Sequence, residues 1–574
     1  MAKIDRHYQD ELNRLHEMAA EYAELNPSHA GYLASAGNDP DAERILEGVA
    51  FLTAGLRSEL EKDQAQLLQN VLQVASPDLL RPLPSITLMQ FKGRPALKEL
   101  LTLPAGTPVA GKTPQDDSIC EFRTLMASGV LPLEIRDASF RKSREKEAGA
   151  SCLSVSFRFT FGDSLYLANK PLAIYLNTTQ GVAARMLDAL LQHCVGSAVV
   201  WPGQQVEPME PPVWNTDLMQ WAFLSDDQPE LPAQRLARRY FSAPELAQGF
   251  CFRLPESAAE QCATEFSVNF YFDSSADWPK ADLAKVLRLN VVPAANLFIR
   301  DAPPRVRDLR QVYMPLAPRK RDGEFLCVYG IEQVSGQYRS EPESHLYLPF
   351  WRQTSMDALR YQEQLSAHPV TDELELSIAL GGGERDEQEV IKARVYCTNG
   401  ADASTIPPGR VADYISGSPE LVQFENLTAP TPYRKALSSE QQYWQAVRQL
   451  SGNLMGHLTT DRLHAALKEL VMQASPDRAR QQINMKKVDA IQSVELLMTD
   501  RLVSAMSVRG YEVSLVLAGD HFSSKAEMHL FARLLQQFFI SLVPVNYFCL
   551  LKVTDQQTGE VLQWSPMLGR KPLL

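Results

Sequence analysis

A serine, an aspartate and a histidine in this sequence are residue types that can together carry acyl-transfer chemistry. Ser164 lies in the run Phe161-Gly162-Asp163-Ser164-Leu165, and Asp461 and His464 stand three residues apart in a later segment. In a serine hydrolase the histidine removes the serine proton, and the aspartate orients the imidazole. These residues therefore raise the hypothesis of an esterase with Ser164 as its nucleophile.

The surroundings of these residues argue against that hypothesis. The two runs resemble the nucleophile block and the Asp-x-x-His block of GDSL-type lipases and esterases, but they lie far apart and no Gly-x-Asn-Asp block stands between them. Asp461 and His464 also fall within an amphipathic helical pattern, and Gly162-Asp163-Ser164 fits a hairpin turn. We therefore expect no catalytic residue, and the GDSL-type esterase (Ser164, Asp461, His464) remains as an alternative.

Metal, cofactor, nucleic-acid and membrane functions find little support. The ten histidines form no HxH or HExxH motif, the eight cysteines form no CxxC pair, and the formal charge of -12 repels phosphate backbones. No run reaches the roughly 18 to 20 apolar residues of a membrane-spanning helix, and the first residues are charged rather than apolar. We expect no cofactor, no metal, no nucleic acid, no direct membrane insertion and a cytoplasmic location.

The pattern of elements predicts a multidomain α+β protein. The chain of 574 residues is longer than the domains that form around a single hydrophobic core. We predict an N-terminal helical region (1–85), a β-rich middle domain (86–330), a second β-containing segment (331–434) and a small C-terminal α+β domain (435–574). In the C-terminal domain we predict, in order, a helix (439–452), a helix (460–473), two strands (about 488–498 and 510–517), a helix (525–541) and a final strand (545–553).

The N-terminal region predicts amphipathic helices with one buried stripe each. Residues 5–25 form the first, and a second begins at Pro40 behind a cap at Asn38 or Asp39. A further helix would carry Leu67 and Val71 toward the prolines at 77, 82 and 84, where the chain must become extended. The buried stripe of the second helix is predicted to be Ile45, Leu46, Val49, Leu52, Leu56 and Leu60.

Two sequence motifs in the same region resemble those of a known family. Asp39-Pro40-x-x-Glu43-Arg44-Ile45-Leu46-Glu47-Gly48-x-Ala50-Phe51-Leu52-x-Ala54 and then Pro77-x-x-Leu80-Arg81-Pro82-x-Pro84-Ser85 resemble successive blocks of the TssF family. Looser matches follow in order at 292–298, at Cys397-Thr398-Asn399 and at 509–512. The chain departs from the family pattern after Asn399 and at 450–454.

The resemblance implies a structural subunit of the type VI secretion baseplate wedge and no enzyme. Proteins of this family are expected to assemble with TssG, two copies to one TssG, and with TssK and TssE around a spike hub, where they seat and trigger the contractile sheath. The baseplate would recruit the chain to the inner-membrane secretion complex. An adaptor that binds effectors transiently remains as a further alternative.

Six residues are candidate protein-interface positions. Glu43, Arg44 and Phe51 place a charge pair and an aromatic ring on one amphipathic helix, and Arg81 belongs to the proline-rich exit. Arg319 and Arg321 end a basic run that begins at 305 in an otherwise acidic chain. Packing within the N-terminal bundle, or a solvated loop face for the basic run, explains the same residues without a partner.

Overall fold

The chain divides into two compact units. The computed structural model describes residues 2–26, 40–75, 79–98, 100–142, 149–167, 170–203, 205–221, 223, 232–273, 278–280, 282–308, 310–319, 326–352, 358–367, 374–382, 387–437, 439–451, 454–503 and 506–571. One unit, called the helical unit here, comprises residues 1–80 and 437–450. The other, called the main unit, comprises residues 81–436 and 451–574.

The α-helices of the described residues include long helices at both ends of the chain. They are α1 (Ala2–Leu25), α2 (Pro40–Ala75), α3 (Gln180–Gln192), α4 (Pro232–Ser242), α5 (Ala258–Gln261), α6 (Leu283–Val286), α7 (Glu440–Ser451), α8 (Thr460–Ala474), α9 (Arg478–Asp489) and α10 (Lys525–Leu542). The two predicted helices between residue 40 and residue 76 are one continuous helix, α2. That prediction was wrong because no proline interrupts the segment, and the two glycines within it do not break the helix.

The strands of the described residues lie in the main unit. Those of the first half are β1 (Ile86–Gly93), β2 (Leu101–Leu103), β3 (Pro108–Lys112), β4 (Ile119–Thr124), β5 (Ser128–Val130), β6 (Leu133–Lys142), β7 (Ser151–Phe159), β8 (Pro171–Leu176), β9 (Cys194–Val200), β10 (Val206–Met209), β11 (Val213–Trp214), β12 (Gly249–Arg253), β13 (Glu265–Phe272), β14 (Leu287–Arg288) and β15 (Val291–Ala295). The others are β16 (Phe298–Asp301), β17 (Arg305–Val306), β18 (Met314–Pro315), β19 (Cys327–Tyr338), β20 (His345–Pro349), β21 (Arg360–Ala367), β22 (Leu374–Gly381), β23 (Glu389–Thr398), β24 (Val422–Asn426), β25 (Ile491–Val503), β26 (Met506–Leu517), β27 (Phe548–Asp555), β28 (Val561–Gln563) and β29 (Met567–Leu568).

These strands form sheets that are mainly antiparallel. The orders are β24-β1-β15-β4-β3, β10-β9-β13-β7-β6, β11-β12-β8-β14, β2-β5, and β16-β23-β19-β20-β21-β22-β18 with β17 beside β23. The register follows the burial pattern, since Met89 of β1 stands opposite Val292 of β15 and both are buried. Aromatic and β-branched residues that alternate along β13 explain why it is a central strand.

The C-terminal part of the main unit is an α+β layer. Its sheet has the order β25-β26-β27-β28, with β29 beside β27. β26 and β27 are parallel, so the chain must cross over between them, and α10 makes that crossing. Residues of α8 and α10, such as Leu463 and Phe531, share a hydrophobic core with Phe157 of β7 and Phe270 of β13.

The predicted fold class is confirmed. A helical N-terminal region is followed by β-rich sheets and by a C-terminal combination of helices and strands. The predicted helix at 525–541 and the predicted strand at 545–553 lie close to α10 and β27. The sequence boundaries at 85, 330 and 434 stay predictions.

Candidate functional site

In the helical unit, α2 uses a row of small residues to pack against α1. Ala50, Ala54 and Ser58 lie four residues apart on one face of α2, and all three are buried. Two polar contacts flank this packing: the Arg57–Glu11 ion pair, with Nη1 2.7 Å from Oε1, and a hydrogen bond between His16 Nε2 and Glu43 Oε1 at 2.9 Å. Small side chains let two helix axes approach closely, so this row defines the inner face of α2.

Most of the large apolar residues of α2 lie on a different face, whereas Leu68 and Leu72 are buried on the inner face. Eight of them fall within a sector about 100° wide when residues advance by about 100° each. Their side chains are between 44% and 68% exposed. This exposed stripe consists of Ile45, Val49, Leu52, Leu56, Leu60, Leu67, Val71 and Val74.

The predicted burial of this stripe within the chain was therefore wrong. Of the six residues predicted to be buried, Leu46 alone is half-buried rather than exposed. The physical reason is that α1 packs on Ala50 and Ala54, and no other described helix covers the leucines. A stripe of this length, about 45 Å at about 1.5 Å per residue, far exceeds the isolated apolar residues of an ordinary surface.

The N-terminal interface candidates lie on α2, but they do not form one cluster. Glu43 bonds to His16, whereas Arg44 is exposed and lies 3.8 Å from Asp41 on its own helix. Phe51 is 63% exposed and lies about 100° around the helix from Leu52, outside the exposed stripe. Asn38 and Asp39, the predicted cap, lie outside the described residues. The interface role of Glu43, Arg44 and Phe51 stays a prediction.

Arg81 lies inside the main unit. Its side chain is buried, its guanidinium stacks over the ring of Tyr329 at 5.3 Å, and its Nη2 lies 3.8 Å from Glu363 Oε2. Gly330 leaves room for it, since a Cβ there would stand 3.2 Å from Arg81 Cζ. Burial raises the pKa of Glu363, and the nearby Arg81 guanidinium opposes that rise. These contacts are internal, and a role for Arg81 toward a partner stays a prediction.

The basic run lies along an exposed segment of the main unit. Arg305 opens β17, Arg310 is exposed in the loop that follows, and Arg319 is exposed after β18. Arg307 instead turns inward, where its Nη1 lies 3.1 Å from Glu389 Oε2. Arg321 lies outside the described residues. A docking role for Arg319 and Arg321 stays a prediction.

The residues of the esterase alternative serve the fold instead. Ser164 is fully buried, and its hydroxyl donates to the carbonyl of Ala258 at 2.6 Å and accepts from the amide of Ala263 at 3.0 Å. The Nε2 of His464 donates to the carbonyl of Ile491 at 2.8 Å. Because the serine proton and the imidazole are both committed to backbone carbonyls, this geometry holds no serine–histidine pair.

A buried amide joins two sheets of the main unit at the later matching motifs. Asn296 Nδ2 donates to the carbonyl of Glu121 at 2.7 Å and to Asn399 Oδ1 at 2.8 Å. Asn296 Oδ1 accepts from Thr398 Oγ1 and from the Asn399 amide, both at 2.7 Å. All four hydrogen-bonding capacities of the Asn296 side chain are thus used within the chain.

A second buried polar group crosses the C-terminal layer. Lys487 Nζ of α9 lies 2.7 Å from Glu527 Oε1 of α10, and both side chains are buried. Burial alone would raise the pKa of Glu527, but the Lys487 ammonium and hydrogen bonds from Ser523 hold that pKa below its usual value. The ring of Tyr240 lies 5.5 Å from Lys487 Nζ, and this pair therefore ties α4, α9 and α10 together.

The described residues contain neither a metal-binding group nor a membrane-spanning helix. Within the ranges given above, no three His, Cys, Asp or Glu side chains are grouped so that they could hold a metal ion. Among the helices that the structure describes, none is both long and apolar enough to cross a membrane. The exposed stripe is therefore the candidate functional site.

The fold and this stripe indicate the class of a structural subunit, because the polar clusters are satisfied internally while a long apolar surface is not covered. A family model described as "Type VI secretion system, TssF" matches residues 1–571. The chain belongs to that family. The TssF1 component of type VI secretion from Pseudomonas aeruginosa is 25% identical over 630 residues, with the whole length of both chains covered.

Two solved structures share the fold. One is a chain of a TssK-TssF-TssG baseplate subcomplex of the type VI secretion system, with a TM-score of 0.75, 21% identity, and 93% of this chain and 99% of that chain covered. The other is from a baseplate complex of the same kind of system, with a TM-score of 0.59, 20% identity, and 99% and 100% covered.

The stripe was missed as an exposed surface, although the sequence contains the signal that distinguishes it. Ala50, Ala54 and Ser58 form a second row at four-residue spacing, on a face that differs from the leucine face by more than a quarter turn. A helix with small residues on one face and large apolar residues on another can bury both faces only against two neighbouring elements. α1 covers the face of Ala50, Ala54 and Ser58, so a second neighbour is required to cover the exposed stripe.

Proposed function

We propose that the chain is a structural subunit of the type VI secretion baseplate that binds TssG and TssK. The exposed stripe of α2 is the observation that carries this proposal. Large contiguous apolar surfaces on soluble proteins mark interaction sites, and helices with such a stripe pack against other helices. The solved structures that share the fold, one of them a TssK-TssF-TssG subcomplex, support the choice of partners.

The proposal extends to a specific place in the assembly. The chain forms a baseplate wedge with TssG, two copies to one TssG, together with TssK and TssE, and the wedges surround the spike hub and seat the contractile sheath. The chain works in the cytoplasm and reaches the inner-membrane complex through the baseplate. Its mechanism is a change of conformation driven by binding energy, with no bond chemistry.

Co-purification with TssG and TssK tests the proposal. Replacing Leu56 and Leu60 together by Asp puts two charges into the stripe, and we expect at least a tenfold loss of TssG binding. Both side chains are more than 60% exposed, so the fold of the chain should remain. Leu165→Asp is the matched control, since Leu165 is 57% exposed in the main unit. Unchanged TssG binding by the stripe variant would contradict the proposal.

The same preparation separates the two alternatives. An esterase would hydrolyse a short-chain ester as the lone chain and lose that activity in Ser164→Ala, whereas a structural subunit shows no turnover in either form. A transient adaptor would be recovered in less than equimolar amounts and would be absent from purified baseplates. A structural subunit is recovered at a fixed ratio to TssG and remains in the assembled baseplate.

A further inference from the structure

One charged residue interrupts the exposed stripe of α2. Asp63 follows Leu60 by three residues and precedes Leu67 by four, which places it in the same sector of the helix. It is exposed, and the described residues give its carboxylate no ion pair. A second carboxylate, Glu59, lies one turn earlier on the flank of the stripe and is also exposed.

The charge of Asp63 has a consequence once the stripe is covered. A partner helix that lies on Leu60 and Leu67 removes Asp63 from water, and a buried carboxylate is costly unless a cation pairs with it. In helical seams, a single polar or charged position of this kind fixes the register of the partner and excludes other partners. Asp63 can therefore select a partner and its register, which the surrounding leucines cannot do.

The sign of the charge also distinguishes between kinds of partner. α2 contains six acidic and three basic residues, and α1 likewise contains six acidic and three basic residues. A second copy of α2 in parallel register would bring Asp63 against Asp63 inside an apolar seam, where like charges repel. Charge complementarity instead favours a helix from a different chain that is basic at this level.

We propose that Asp63 is the specificity-determining residue of the α2 surface, and that its partner is an apolar helix of a different chain with a lysine or arginine facing Asp63. This inference rests on the proposed function, in which that different chain is TssG. It adds the register of the contact and the chemistry that selects the partner.

Binding of the full chain to purified TssG tests the inference. We expect Asp63→Lys to weaken binding by at least about tenfold, because a charge pair becomes a repulsion, and Asp63→Asn to have a smaller effect. Glu47→Lys is the matched control: it makes the same charge reversal at an exposed position about 160° around the helix and should leave binding unchanged. Lysine is a good helix former, so both variants should keep wild-type circular dichroism spectra.

Four outcomes decide the matter. Loss of binding in Asp63→Lys alone, restored when a basic TssG residue is reversed to Glu, supports the inference. Wild-type binding by Asp63→Lys overturns the inference and leaves the proposed function intact. If wild-type chain does not bind TssG at all, both fail. If the wild-type chain pairs through this stripe with a second copy, and Asp63→Leu tightens that pairing without affecting TssG, the occupant is a second copy and the inference is overturned.

Discussion

Replacing Asn296 by Ala should destabilise the main unit. Asn296 is completely buried, and its amide makes four hydrogen bonds of 2.7–2.8 Å to Glu121, Thr398 and Asn399. Alanine removes all four hydrogen bonds. The small cavity that remains is lined by polar groups, and one water molecule there cannot replace every lost bond.

The magnitude follows from the groups that lose their partners. The carbonyl of Glu121, the amide and the side-chain oxygen of Asn399, and the hydroxyl of Thr398 would each lose one hydrogen bond. A buried polar group without a partner costs about 1–3 kcal/mol. Glu121 and Asn399 are only half-buried, so water can replace part of the loss. We therefore expect the free energy of unfolding of the main unit to fall by about 2–4 kcal/mol.

Urea unfolding of the full chain, followed by tryptophan fluorescence, measures this change. If the two units unfold in separate transitions, the comparison uses the transition that reports the main unit. Asn177→Ala is the matched control, because Asn177 is half-buried and the structure gives its side chain no hydrogen bond among the described residues. A loss below about 1 kcal/mol at Asn296, or an equal loss at Asn177, would refute the account of this network.

Three further predictions concern other parts of the chain. Gly55→Ala should raise the stability of the helical unit by about 0.5–1 kcal/mol in thermal unfolding, because a Cβ there meets no atom among the described residues; a decrease would contradict this. Lys487→Met should cost about 3–5 kcal/mol at neutral pH by leaving Glu527 buried and unpaired. Because the folded pKa of Glu527 lies below the usual 4.5, the pair stabilises the wild-type chain above that pH and is lost as the pH falls through the lowered value. When the free energy of unfolding is measured by urea at decreasing pH, the wild-type value should fall toward that of the variant. A constant difference between the two proteins at every pH would argue against the pair. Ser164→Ala should cost about 1–3 kcal/mol through the orphaned amide of Ala263, with TssG binding unchanged in pull-downs; lost binding at full stability would point to a functional serine.

Elements with one strong periodicity could be predicted from the sequence. α10 has large apolar residues on most of its turns, and Ser524 caps it by accepting a hydrogen bond from the Glu527 amide, so its predicted start at 525 was correct. The α9 helix was missed for the opposite reason. It has little apolar periodicity, and polar contacts hold it instead, such as those of Arg480 to the carbonyl of Ser242 and Asn484 to the carbonyl of Phe241.

The candidate site shows a different limit of sequence reasoning. The spacing of Ile45, Val49 and Leu52 correctly predicts an amphipathic helix, because periodicity reports that one face avoids water. Periodicity does not report which molecule covers that face. The sequence of one chain looks the same whether the covering atoms belong to that chain or to a partner, and only the location of α1 on the Ala50–Ala54 row separates the two cases.

If TssG covers the exposed stripe as proposed, α2 serves folding with one row of residues and assembly with another. Within the motif that begins at Asp39, Ala50 and Ala54 face α1, while Ile45, Val49 and Leu52 remain exposed. The exposed row contributes little to the stability of the lone chain, because its apolar area stays in water. Covering that row adds stabilisation that grows with partner concentration, so partner binding and the order of the helical unit are linked by mass action. The helical unit should accordingly gain protection from amide hydrogen exchange on TssG binding, while the Asn296 region of the main unit should show no change.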